Sequence, residues 1–142
     1  MLIMNKRNCN RQTGSMLLEP LLALLIFSAG ILAIVGMQAA SIKLAGDAKY
    51  RTDASLLANQ LIGQMWVDDR SVAALQANYS SPNGTTYAAW KNQVNSALPG
   101  AGANPPTVTV NAGNSLVTVS IFWQVPGASA PAHRHTVIAQ IK

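Results

Sequence analysis

Between Glu19 and Lys43 run 23 residues without a single charge, Pro20 to Ile42. As a helix rising about 1.5 Å per residue, that stretch reaches roughly 35 Å, enough to cross the hydrocarbon of a bilayer. Leu21, Leu22, Leu24, Leu25, Ile26, Phe27, Ile31, Leu32, Ile34 and Val35 leave it almost no polar face. A helix that is apolar all round belongs in lipid or at the centre of a bundle of other helices. The run therefore fixes one hydrophobic helix near the start of the chain. It also raises a question, because a carboxylate well inside hydrocarbon costs on the order of 2.5–3.5 kcal/mol. Glu19 at its lip needs either the favourable dipole of a helix start or a cation to meet it.

The same run accounts for the composition. Of 142 residues, 49% are hydrophobic and 11% charged, against about 25% charged in ordinary soluble domains. Formal net charge is +5, but Lys6, Arg7 and Arg11 all precede the apolar run. From Ser15 onward seven Lys and Arg face five Asp and Glu. The basicity belongs to the leader, the remaining cations are scattered, and no nucleic-acid partner is expected. Cys9, the sole cysteine, also lies in the leader. An intrachain disulfide and a cysteine zinc site are thereby excluded. A lipoprotein signal would place an apolar run ahead of the cysteine, and here Lys6-Arg7-Asn8 stands there.

A basic start followed by an apolar segment has the form of a secretory signal, but this run exceeds the usual 7–15-residue apolar core. It also continues without a turn into a helical pattern beyond Lys43. The candidate cut, Gly14-Ser15, precedes the apolar run instead of following it. Positive charge on the N-terminal flank keeps the leader in the cytoplasm and sends the body outward.

These residues carry a resemblance. Gly14-Ser15-Met16-Leu17-Leu18-Glu19, after a short basic leader and ahead of the apolar run, resembles the class III signal of type IV pilins and type II secretion pseudopilins. The stretch from Ala23 to Trp66, with its Gly-Ile-Leu and Ala-x-Leu-Leu-Ala-Asn-Gln runs, is similar to the PilV group of minor pilins. The resemblance covers roughly the first half of the chain. It implies that a prepilin peptidase/methyltransferase cuts after Gly14 and methylates the new N-terminus at Ser15. Glu19, fifth in the mature chain, would then attract the N-terminal amine of a neighbouring subunit. It implies a single-pass inner-membrane protein with its head in the periplasm, later incorporated into a pilus. Its partners would be other minor pilins and the major pilin, and it would be a substrate of processing enzymes, not itself an enzyme. Two positions depart from the family pattern: Ser15 stands where Phe is usual, and Pro20 where an aliphatic residue is usual. A type II secretion pseudopilin shares the signal and fold. A signal-anchored periplasmic binding domain or enzyme is the alternative from another class, and it predicts that Met1–Gly14 stays attached.

The implied fold is α+β, a long N-terminal helix packed on a small antiparallel meander. Residues 1–14 form the leader, 15–42 the transmembrane half of the helix and 43–142 the head. Periodicity supports this layout independently. Ala54, Leu57, Leu61 and Met65, with Ala58, Ile62 and Trp66 beside them, mark an amphipathic helix over 43–67. One helix is expected from about Glu19 to about Val67, with Pro20 in its first turn, where proline is tolerated. Over 68–106 short helices and loops are expected. A further turn or two falls in Ser71–Tyr79, a Pro-Asn-Gly turn at 82–84, a short helix through Tyr87, Trp90, Val94 and Leu98, and a breaker-rich connector at 99–106. Over 107–142 the period becomes two: Val108 and Val110, then Val117 to Val125, then His135 to Ile141, separated by turn signals. Met and aromatic positions read as core.

Little catalytic chemistry is visible. His133 and His135 share one strand face, but two histidines without cysteines or carboxylates make a poor metal shell, and they read as a surface pair. Asp68-Asp69 reads as a solvated helix-terminal pair. No nucleophile elbow and no phosphate-binding glycine loop follows a strand. No metal, cofactor or catalytic residue is expected.

Overall fold

The computed structural model describes residues 15–127 and 131–142. The chain divides into two units, one ending at Lys43 and the other comprising Leu44–Lys142.

Helix α1 spans Ser15–Val67 without a break. It already includes Ser15, four residues ahead of the start that the sequence suggested, so Pro20 lies beyond its first turn. Proline has no N–H, and the Met16 carbonyl therefore loses its usual i+4 donor. From Met16 to Lys43 every side chain is exposed within the chain. Leu24, Leu25, Ile26 and Phe27 retain 61–66% of their accessible surface. Ser28, a polar residue in this run, donates its hydroxyl back to the Leu24 carbonyl at 2.6 Å, which satisfies it without water.

In the second unit α1 turns a stripe inward. Ala54, Ala58, Leu61 and Met65 are fully buried and Ile62 nearly so. Leu57 is only partly buried, and Trp66, expected beside the stripe, is 46% exposed. After Val67 the helix gives way to α2 (Val72–Tyr79) and α3 (Thr85–Ala97). Ser71 starts α2 by accepting the Ala74 N–H on its hydroxyl, the preferred use of serine at a helix N-cap. Gly84 starts α3. A Cβ there would lie 2.5 Å from the Asn78 carbonyl oxygen, so the α2–α3 turn can close only on glycine. On α3, Tyr87, Trp90 and Val94 point inward. Trp90 Nε1 donates to the Leu57 carbonyl at 3.0 Å, tying α3 to α1.

The sheet is an antiparallel meander in the order β1-β2-β3, with β1 at Thr107–Val110, β2 at Leu116–Trp123 and β3 at His133–Gln140. Strand β2 ends at Trp123, so Val125 lies beyond it. Two asparagine turns make the first hairpin: Asn111 Oδ1 accepts from Gly113 N–H and Asn114 Oδ1 from Leu116 N–H, the local bonding that favours asparagine in turns. Along β2, Val117, Val119, Ile121 and Trp123 are buried while their neighbours are half-exposed. This alternation places one face on the helices. The core joins those four to Val108, Ile141 and the buried faces of α1, α2 and α3.

Candidate functional site

The residues implicated by the sequence lie at the start of α1. Gly14 falls outside the described residues. Ser15 is the first described residue of the helix, and Glu19 stands one turn on, exposed within the chain. An i, i+4 pair shares one helix face with about 6 Å of rise between its members. Because α1 already includes Ser15, Glu19 lies at least a full turn into the helix, past the unpaired N–H groups of a helix start. The helix dipole acts mainly within the first turn. Helix-start stabilisation therefore does less for Glu19 than the sequence suggested. No described residue supplies a cation: Glu19 makes no hydrogen bond or ion pair among the described residues. Directly after it comes the exposed apolar run, within a helix long and apolar enough to span a membrane.

In the head, polar groups are arranged differently from the sequence expectation. Asp68 is not simply solvated. It accepts the hydroxyl of Tyr79, a buried tyrosine of α2. Burial first, and then the bond to the Asp68 carboxylate, push the Tyr79 hydroxyl up to about 12. Burial alone raises Tyr87, whose hydroxyl donates to the Pro106 carbonyl at 2.7 Å. Asp69 Oδ1 accepts the Ser71 N–H at 2.9 Å, and that bond lowers its carboxyl below the ordinary value. The acidic pair thus anchors and caps the entry to α2.

His133 and His135 are half-buried on the core-side face of β3 and are not a plain surface pair. The β2–β3 register sets His133 opposite Trp123, and their rings stack with centroids 5.5 Å apart. His133 Nε2 lies 3.7 Å from Asp47 Oδ1, while Asp47 Oδ2 accepts from Arg51 Nε at 3.2 Å. The signal for this cluster was present in the sequence only as separate pieces. The i, i+4 spacing of Asp47 and Arg51 is readable, but their meeting with β3 is a matter of tertiary placement. Among the described residues no three His, Cys, Asp or Glu side chains converge as a metal shell would require.

No family model, curated protein or solved structure matches this chain.

Proposed function

We propose that the protein is a minor pilin of the type IV pilus, cut between Gly14 and Ser15 and built with other minor pilins and the major pilin into a priming or tip complex. The reading rests on one observation above the rest. An unpaired carboxylate, Glu19, stands one helical turn beyond the cut position at the entry to a run with no side-chain cover of its own. Cleavage supplies the missing cation as the α-amine of Ser15, positive at neutral pH. An amine on a neighbouring subunit would neutralise Glu19 only in the correct axial register. A buried charge that one arrangement alone can satisfy discriminates against the others.

The apolar run serves both stages. In lipid its exposed leucines and isoleucines need no partner, and in an assembly the same side chains pack against neighbouring helices, with Gly30 and Gly36 open to close approach. Leader removal and Ser15 methylation would be the work of the prepilin peptidase/methyltransferase. The head would then lie in the periplasm before incorporation.

Glu19→Ala tests the pairing. Cleavage of the leader stays intact, and recovery of the protein in sheared pili and with partner pilins falls about tenfold, the equivalent of a lost charge pair of roughly 1.4 kcal/mol. Wild-type recovery of the alanine variant would defeat the pairing argument.

A further inference from the structure

The two edges of the sheet are treated in opposite ways. On β1, the outward-facing backbone belongs to Val108 and Val110, and it is already occupied. Ser81 N–H donates to the Val108 carbonyl at 3.0 Å, Val108 N–H donates to Ser81 Oγ at 3.1 Å, and Gln76 Nε2 donates to the Val110 carbonyl at 3.2 Å. On β3 the phase follows from the bond of Ile141 N–H to the Ser115 carbonyl. Antiparallel pairs alternate, so His133, His135, Val137 and Ala139 bond to β2, while Arg134, Thr136, Ile138 and Gln140 aim their N–H and C=O groups away from the sheet. No described residue bonds to those outward groups. An eight-residue strand with an open edge and a single outward charge lacks the usual devices against strand addition.

Beside this edge lies a cleft of about 540 Å³ between α1 and β3. Arg51, Asn59, Trp123, Arg134 and His135 contribute to its wall, and no Asp or Glu does. Trp123 is 2% exposed, yet among the described residues neither its Nε1–H nor the buried Nε2 of His135 has a hydrogen-bond partner. A buried polar group left unmet is destabilising, and such groups are rare enough to need an explanation. Arg51 uses only Nε on Asp47, and Arg134 makes no bond among the described residues. The wall thus carries two guanidinium groups and no carboxylate; Thr52, Ser55 and Asn59 supply only neutral oxygens, and Asp47, whose Oδ1 is also unmet, is held by Arg51.

We propose that the β3 edge and this cleft together form a docking site for an extended, acidic segment of another polypeptide. The segment adds a fourth strand along Arg134–Gln140 and sets a carboxylate against Arg51, Arg134, His135 Nε2 and Trp123 Nε1. Backbone pairing supplies affinity, and the acid at one position supplies register, as in other strand-addition sites. The proposal goes beyond the pilus reading and does not depend on it.

The test uses the full chain, 15N-labelled in detergent micelles, titrated with the capped peptide acetyl-Thr-Val-Glu-Val-Thr-amide. The account requires the Trp123 indole N–H resonance to move and the Thr136 and Ile138 amides to gain protection from hydrogen exchange. The same peptide with Gln in place of Glu binds about fivefold more weakly, as does the acidic peptide to Arg134→Glu, a change at an exposed side chain. Ile138→Pro removes an outward N–H without touching the β2 pairing and lowers affinity about tenfold. Equal affinity for the Glu and Gln peptides, or an unmoved Trp123 signal, overturns the proposal. So does sodium acetate reproducing the shift at peptide-like affinity without amide protection, because the site would then be an anion pocket alone.

Discussion

The two halves of α1 differ in how the described residues cover them. From Met16 to Lys43 no described residue covers its leucines and isoleucines, whereas from Ala54 to Met65 one face is sealed against α3 and the sheet. Burying a leucine or valine from water is worth about 1.5–3 kcal/mol. The head half gains that from its own fold. The apolar half can obtain it only from lipid or from other helices, so its surroundings are part of its structure. The difference teaches that apolar residues stand in opposite settings at the two ends: Leu24 at 61% has no cover from the described residues, while Leu61 at 0% is packed inside the head.

Paired truncations break or sharpen this contrast most strongly. Leu61→Ala opens a cavity in the head core and lowers its unfolding free energy by about 2–5 kcal/mol. Leu24→Ala leaves the same unfolding midpoint unchanged. Both follow from urea titration of the full chain in micelles, monitored by tryptophan fluorescence. Similar losses in the two variants would mean that the apolar half is supported by the head after all.

A second test uses pH. Tyr79 ionises near 10 when exposed and near 12 in the fold, so the native state holds its proton longer than the unfolded state does. Stability is therefore full below pH 10 and falls as pH rises towards 12, by on the order of 1–2 kcal/mol. Tyr79→Phe should flatten that decline, leaving the smaller contribution of Tyr87. The apolar half has no part in this titration, and thermal melts between pH 9 and 11 would reveal the difference between the two proteins.

The smallest effect concerns a helix end. Ser71→Ala removes the acceptor for the Ala74 N–H and costs about 1 kcal/mol, with Ser71→Gly milder. Urea midpoints for the two variants check the order.

Much of this was legible in the sequence because it depends on local pattern. The uncharged run, the inward stripe at Ala54, Ala58, Leu61 and Met65, the Gly84 turn and the alternation from Val117 to Trp123 each follow from spacing and backbone chemistry. The misses were of other kinds. Proline's preference for a first turn drew the expected start of α1 to Glu19, whereas the helix carries Pro20 one turn in. Trp66 fell on the wrong side of the stripe because hydrophobicity alone does not fix the rotation of a helix to within one residue. Asp68 meeting Tyr79, and Trp123 stacking on His133, depend on how α2 and β3 return to their neighbours, which no period records. Glu19 was readable as anomalous. Its lack of a partner within the described residues came only from the structure.

The amine that cleavage would create is the cation proposed to meet Glu19. Intact-mass measurement of the protein taken from the membranes of its native host tests this directly. The prediction is a chain beginning at Ser15, lighter by residues 1–14 and heavier by one methyl group. A mass that retains Met1–Gly14 would leave Glu19 without the cation assigned to it and would contradict the account.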